Sequence, residues 1–281
     1  MIKQQCVSAL GRFWGSAHAV LLMQLRWLGA FLILVVIYRK ALPRYVPLAI
    51  QNWRWVFAMG GGGLAGFSLL LVYAAQYTTA VNLGIMQGVV PAVVMLLGWL
   101  IYRTRIGWLQ FFGLCSSLTG ILVLVSAGSL ATILALRFNL GDLLMVAACL
   151  CYGAYTVALA KRLEMPPVLL LCFFAFCAFL TCSLFLIAEY ANGDLVLPGV
   201  KGSLLLFYSA IFPSILSQTF YMRGVELAGA NRAGLYVNMV PIFAAFLAML
   251  ILSETMYLYH IMALFMVLGG IFLAQRGKIK T

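Results

Sequence analysis

Apolar segments of about 20 residues recur along the whole chain, and they restrict its fold more than any other feature. In the hydrocarbon core of a bilayer there is no water to satisfy backbone polar groups, so only helices and closed barrels can span it. A barrel would show short segments of alternating polarity instead. Because 65% of the 281 residues are hydrophobic and only 9% are charged, the pattern predicts an all-α integral membrane protein.

The chain contains an internal repeat. Residues 80–121 fall on residues 230–271 without a gap when the sequence is shifted by 150 places, and 11 of the 42 positions are identical. A second match relates residues 20–32 to residues 168–180 at an offset of 148. The sequence therefore predicts two repeats, which we expect over residues 1–128 and 141–276. Aligned helix-breaking or small residues include Pro91 with Pro241 and Gly120 with Gly270.

The apolar segments predict a ten-helix plan of two five-helix repeats. The repeat places the start of the first helix shortly before Met1, so we expect that helix to be incomplete in this chain. An interfacial helix over residues 1–19 is the alternative. Helices two to ten are expected at residues 18–38, 56–76, 80–102, 107–126, 141–160, 167–188, 203–222, 233–252 and 257–274.

Basic residues are unevenly distributed over the connections of this plan. Thirteen of the 18 Lys and Arg residues fall on the side that holds the C-terminus, whereas the opposite loops hold Arg137 and Lys201. This bias predicts a multi-pass protein of the cell inner (plasma) membrane with a cytoplasmic C-terminus. It also accounts for the net charge of +12 without nucleic acid as a partner. Since each repeat has an odd number of helices, the second repeat would be inverted, as is typical of secondary transporters.

Two stretches resemble a known family. One is Gln76-Tyr77-Thr78-Thr79-Ala80-Val81-Asn82, followed by Pro91 and by Arg103-Thr104-Arg105. The other is Ala228-Gly229-Ala230-Asn231-Arg232-Ala233-Gly234, followed by Pro241 and by Ser253-Glu254, where Ser253 replaces the family's glycine. Both are similar to the EamA-type branch of the drug/metabolite transporter superfamily, and the similarity extends from Val20 to Arg276. The resemblance implies two inverted five-helix repeats and the export or exchange of small metabolites, such as amino acids or related compounds, by alternating access.

Arg26 is the charged residue that lies deepest in a predicted span. It follows His18 by eight residues and precedes Arg39 by thirteen, which places it about 20 Å from the inner boundary. Ionisable residues inside a membrane are costly and are often functional. We interpret Arg26 either as a cavity cation that holds a carboxylate or phosphate of the substrate, or as a structural arginine that snorkels outward or caps a neighbouring helix.

The other candidate site residues are polar, aromatic or helix-breaking. Pro91 and Pro241 each free a backbone carbonyl in predicted helices four and nine. These helices are expected to line the substrate cavity, although Gln87 and Asn238 would also serve as interhelical hydrogen bonders. The remaining candidates for substrate contact are Tyr73, Tyr152, Tyr155, Gln218, Tyr221 and Tyr236.

The acidic residues limit the mechanism. No Asp or Glu lies in the middle of a predicted span, so a carboxylate proton relay at the midplane is not supported. Facilitated diffusion, exchange, or coupling through a helix-end residue such as Glu226 or Asp142 stay open.

Other classes of membrane protein fit the sequence less well. The only two histidines, His18 and His260, lie on different predicted helices, and there is no H-E-x-x-H pattern, so we expect no enzyme activity, no metal and no cofactor. An ion channel would show rings of charge or a filter loop. A truncated, transport-inactive family member is the main alternative. We expect a small-molecule substrate and the lipid bilayer as partners, and a homodimer stays open.

Overall fold

The computed structural model describes residues 16–78, 80–103, 106–135, 139–190, 200–243, 246 and 257–276. Within these ranges every regular element is a helix. Among the described residues, seven helices are long and apolar enough to cross a membrane. The expected all-α membrane protein is therefore confirmed for the described residues. The seven spans are Val20–Tyr38, Trp53–Tyr77, Leu83–Tyr102, Trp108–Val125, Leu140–Lys161, Pro167–Ile187 and Leu258–Arg276.

The helices are numbered here in chain order. Predicted helices two to eight and helix ten each coincide with one or two of them, whereas the first helix and the end of the ninth lie outside the described residues. The bounds are α1 Ser16–Tyr38, α2 Leu42–Gln51, α3 Trp53–Tyr77, α4 Ala80–Gln87, α5 Val90–Tyr102, α6 Trp108–Val125, α7 Leu130–Leu134, α8 Leu140–Lys161, α9 Pro167–Tyr190, α10 residues 200–228, α11 Ala230–Leu235 and α12 Leu258–Arg276.

The helix predicted over residues 80–102 is present as the span Leu83–Tyr102, but it is not continuous. The structure divides it into α4 and α5, with a turn at Gly88 and Val89. Pro91 is the cause, because it has no N–H to donate to the carbonyl of Gln87 four residues earlier. The turn is closed by the N–H of Val89, which donates to the carbonyl of Met86 at 3.0 Å. The short helices α2 and α7 also lie where only loops were expected.

Two long helices contain a π-helical segment in their middle. In α3 the segment covers Ala58–Ala65, and in α10 it covers Ala210–Leu216. A shift of 150 residues superimposes most of one segment on the other. In α10 the cause is Pro213, which leaves the carbonyl of Ser209 without its usual donor. The hydroxyl of Ser214 donates to that carbonyl at 2.9 Å instead.

The described helices form two compact units, and each unit draws helices from both halves of the sequence. The first unit comprises Met1–Gln76 and Lys161–Arg223. In it, α1 and α9 run antiparallel, because Gln24 donates to the hydroxyl of Ser183 at 2.9 Å while the rings of Phe31 and Phe176 are 5.1 Å apart. A later residue of α1 thus contacts an earlier residue of α9, as expected for antiparallel helices.

The second unit comprises Tyr77–Ala160 and Gly224–Thr281. Its closest helix pair is α6 with α12. A β-carbon added to Gly113 would lie 2.3 Å from the carbonyl oxygen of Gly270, and one added to Gly270 would lie 2.4 Å from the carbonyl oxygen of Gly113. Only glycine allows this approach, since real β-carbons are not found under 3.0 Å from another heavy atom. Apolar side chains of both helices surround the contact, among them Leu114 and Ile271.

Helix contacts within each unit occur in pairs that the sequence repeat relates to each other. The 150-residue shift carries Gly113 onto Ala263 and Gly120 onto Gly270, so the contact of Gly113 with Gly270 corresponds to one of Ala263 with Gly120. The structure contains this second contact, since a β-carbon added to Gly120 would lie 3.0 Å from the Ala263 carbonyl oxygen. On the same helices Ser116 donates to the carbonyl of Met266 at 2.9 Å, and these two residues are 150 positions apart. The antiparallel helices α6 and α12 therefore meet through equivalent positions.

The first unit shows the same relation around its π-helical segments. An added β-carbon on Gly60 would lie 2.9 Å from the β-carbon of Cys177. The 150-residue offset carries Gly60 onto Ala210, and the 148-residue offset relates Cys177 to Gly29. These two residues are also in contact, since a β-carbon on Gly29 would lie 3.3 Å from that of Ala210. The contact between α3 and α9 thus has its counterpart between α10 and α1.

We expect Gly270→Ala to destabilise the protein by about 1–3 kcal/mol, because the methyl group has to displace the backbone of α6. Gly269→Ala is the matched control, since nothing lies within 4 Å of a β-carbon there, and we expect a change within about 0.5 kcal/mol. Unfolding of the purified proteins in detergent measures both. Equal losses from the two substitutions would contradict the close contact between α6 and α12.

Candidate functional site

Arg26 lies near the middle of α1, about 15 Å from the start of the helix and about 18 Å from its end at 1.5 Å per residue. Its Nη2 atom donates to the hydroxyl of Ser68 on α3 at 3.1 Å. That hydroxyl in turn donates to the carbonyl of Leu64 at 2.9 Å. The guanidinium carbon stands 4.9 Å from the centre of the Trp27 ring. The cation is therefore fixed by a neutral hydroxyl and an aromatic face.

Two neighbouring donors at this place have no acceptor in the described part of the chain. They are Nε of Arg26 and Nε1 of Trp27, and both atoms are buried. The Trp27 side chain is 2% exposed and Ser68 is 7% exposed. No carboxylate of the described residues pairs with Arg26. Buried donors and an uncompensated charge cost free energy unless an acceptor meets them, so this arrangement is suited to accept an anionic group.

Three more of the predicted site residues belong to the first unit: Tyr73 on α3 and Gln218 and Tyr221 on α10. Each is half-buried and makes a polar or ring contact of its own within the protein. Their place as substrate contacts stays a prediction.

The second unit holds the two tyrosines predicted on helix six. The rings of Tyr152 and Tyr155 on α8 are 5.7 Å apart. Tyr155 is 1% exposed, whereas Tyr152 is half-buried. The structure therefore brings the two rings together as a pair, with the face of Tyr152 the more accessible.

Residues of the duplicated helices also lie in the second unit. Asn238 is 1% exposed, and its amide donates to the hydroxyl of Ser117 on α6 at 2.8 Å. Its Oδ1 atom is buried without a donor among the described residues. Tyr236 is exposed and accepts a hydrogen bond from Gln275 on α12. Half-buried Gln87 ends α4, buried Pro91 begins α5, and half-buried Pro241 follows the turn after α11.

A buried polar network at the start of α8 was not predicted. The hydroxyl of Thr78 donates to Oδ1 of Asp142 at 2.7 Å, and the Asn139 amide donates to the Thr78 oxygen at 3.3 Å. The Asn139 and Asp142 side chains also accept from each other's backbone N–H groups at 3.1 and 3.0 Å. Asp142 is 1% exposed. It holds the N-terminus of a membrane helix, which explains an acidic residue at the end of an apolar segment.

Sequence reasoning found Arg26 but not the residues around it. Trp27 and Ser68 are ordinary residues of apolar helices, and nothing in their spacing marks them. The Asn139–Asp142 pair did carry a signal, since an Asn followed three residues later by an acid before an apolar run resembles a capping box.

Comparisons with known proteins agree on one class of protein. The sequence matches the EamA-like transporter family over residues 10–126 and 139–275. It is 27% identical to the Uncharacterized transporter YetK of Bacillus subtilis (strain 168), over 82% of this chain and 68% of that protein. It is 24% identical to an Uncharacterized transporter of Archaeoglobus fulgidus, over 92% of this chain and 96% of that one. A crystal structure with 19% identity superimposes with a TM-score of 0.78, over 95% of this chain and 90% of the other, so the two share a fold.

We expect Asp142→Ala to destabilise the protein by about 1–3 kcal/mol, because Thr78 and the start of α8 lose a buried acceptor. Thr78→Val should cost less, about 0.5–1.5 kcal/mol, since it removes one hydrogen bond. Glu164→Ala is the control, because this acid is exposed. Chemical unfolding in detergent compares the three variants, and an Asp142→Ala variant as stable as Glu164→Ala would contradict a structural role for the network.

Proposed function

This chain belongs to the EamA-like transporter family, and we propose that it exports or exchanges small metabolites, such as amino acids or related compounds, by alternating access. It is a multi-pass membrane transporter. The match of the family to both halves of the chain is the single observation that carries the proposal. Particular contacts support an inverted symmetry of the two halves and a substrate path, and the distribution of basic residues supports an orientation in the membrane.

An inverted pair of five-helix repeats is supported by the contacts between α6 and α12. Two antiparallel helices that meet through equivalent positions are related by a two-fold axis perpendicular to both of them. For helices that cross a membrane, such an axis lies in the membrane plane. This is the symmetry of transporters with inverted repeats, in which one half adopts the conformation of the other when access changes sides. We infer the same plan for residues 1–128 and 141–276.

The π-helical segments of α3 and α10 are proposed as the places where these helices bend during transport. A π-helical turn leaves backbone hydrogen bonds less regular than in an α-helix, and such turns are frequent at functional sites. Both segments also lie at the close contacts of Gly60 with Cys177 and of Ala210 with Gly29. Bending at one position in each repeat would preserve the pseudo-symmetry of the two states.

We propose Arg26 as the contact for an anionic group of the substrate. The other polar and aromatic candidates are kept as proposed substrate contacts, with flexibility provided by Pro91 and Pro241. The candidates are Tyr73, Gln87, Tyr152, Tyr155, Gln218, Tyr221, Tyr236 and Asn238.

Transport is tested in liposomes that contain the purified protein and a mixture of labelled amino acids and aromatic acids. We expect at least one compound to exchange faster than in liposomes without protein. Gly60→Ala should lower that flux several-fold, because a β-carbon there would lie 2.4 Å from the Phe174 carbonyl oxygen. Gly62→Ala is its control, since nothing lies within 4 Å of that position. If a folded protein moves none of the compounds, the alternative of a transport-inactive family member is favoured.

The inner-membrane orientation predicts a cytoplasmic C-terminus. A fluorescent protein that matures only in the cytoplasm should therefore fluoresce when it is fused after Thr281, and should stay dark when it is inserted between α9 and α10. The physical reason is the excess of basic residues on the side of the C-terminus. The reverse pattern of fluorescence would overturn the orientation.

A further inference from the structure

We propose that Arg26 and Trp27 form a binding site for a small carboxylate, with Ser68 as the residue that positions the guanidinium. This inference deepens the proposed function, since it takes the carboxylate to be part of the transported molecule. It is carried by two adjacent buried donors, Arg26 Nε and Trp27 Nε1, that have no acceptor among the described residues.

Two donors at this place are left for a ligand, Nε of Arg26 and Nε1 of Trp27. Nη2 is occupied by the Ser68 hydroxyl. That hydroxyl donates its own proton to the Leu64 carbonyl. It therefore acts as an acceptor toward Arg26 and helps to position the guanidinium. The guanidinium carbon lies over the face of the Trp27 ring, 4.9 Å from its centre. An oxyanion that accepts from Nε and from the neighbouring indole N–H would satisfy both orphaned donors together.

The fold itself does not require a cation at this position. The 148-residue offset carries Arg26 onto Phe174 and Trp27 onto Ala175. Phe174 is fully buried, its backbone lies against Gly60, and its ring is 5.6 Å from that of Trp55. The equivalent position in the other repeat thus holds a buried apolar ring. A structural role for Arg26 would leave this difference unexplained, whereas a ligand role needs a cation in one repeat only.

The depth and the charge of the site select the ligand. Arg26 lies six residues inside the span Val20–Tyr38, about 9 Å from its start at 1.5 Å per residue, which favours a soluble anion over the headgroup of a surface lipid. One guanidinium carries one positive charge, so a monovalent carboxylate is neutralised by it. A phosphate dianion would remain undercompensated in a site with few other donors. Free phosphate is therefore the rival source of an oxyanion, and the experiment separates the two.

The test measures thermal unfolding of the purified full-length protein in detergent with sodium benzoate, with its uncharged analogue benzamide, and with inorganic phosphate. We expect benzoate to raise the unfolding midpoint of the wild type and benzamide to leave it unchanged. Arg26→Gln should weaken benzoate binding about ten- to a hundredfold, and Trp27→Phe, which keeps the ring and removes the N–H, about three- to tenfold. Arg44→Gln, which removes an exposed arginine from α2, should bind benzoate like the wild type.

A second measurement distinguishes a ligand cation from a structural one. Without added anion, Arg26→Met should unfold at a higher temperature than the wild type, because it removes a buried charge that lacks a counter-ion. A lower midpoint for Arg26→Met would overturn the proposal, as would equal stabilisation of Arg26→Gln and wild type by benzoate. Stabilisation by phosphate alone would overturn the choice of carboxylate. Benzoate binding without flux in liposomes would leave the site established and count against the proposed transport.

Discussion

Helices inside a bilayer gain little by bringing apolar side chains together, because the lipid chains around them are equally apolar. Close backbone packing and a few interhelical hydrogen bonds have to supply the free energy of association instead. In the second unit Gly113 and Gly270 bring α6 and α12 into contact, and the Ser116 hydroxyl adds a hydrogen bond between them. In the first unit Gly60 does the same for α3 and α9. The spacing of the helices that hold the candidate site residues depends on these contacts.

The same contacts relate the two halves of the sequence, and this makes the departures from symmetry informative. Where the halves agree, as at the π-helical segments, the shared feature belongs to the fold. Where they differ, one half has acquired a property that packing does not demand. Arg26 and Phe174 are such a pair, since both sit on helices of the first unit at equivalent positions while only one of them is charged.

The sequence predicted the membrane helices well because hydropathy and the length of a span are local properties. It also pointed to the family through the stretches that follow α3 and α10. It missed the turn at Gly88 and the π-helical segments, because Pro91, Pro213 and a run of glycines permit several responses of a helix, and only the neighbouring helix decides among them. Trp27 and Ser68 were missed for a related reason. Their contribution comes from where their polar atoms point, which apolar periodicity does not encode, whereas the charge of Arg26 was conspicuous at once.

The buried arginine also bears on how the chain enters the membrane during synthesis. A charge near the middle of a helix raises its insertion free energy by about 2.5–3.5 kcal/mol. The span Val20–Tyr38 offsets this with a mean hydropathy of 2.3, so α1 can insert before its neighbours are made. Ser68, which accepts from the guanidinium, follows 42 residues later in the chain. The apolar residues of the rest of α1 thus offset the cost of placing an arginine inside the membrane.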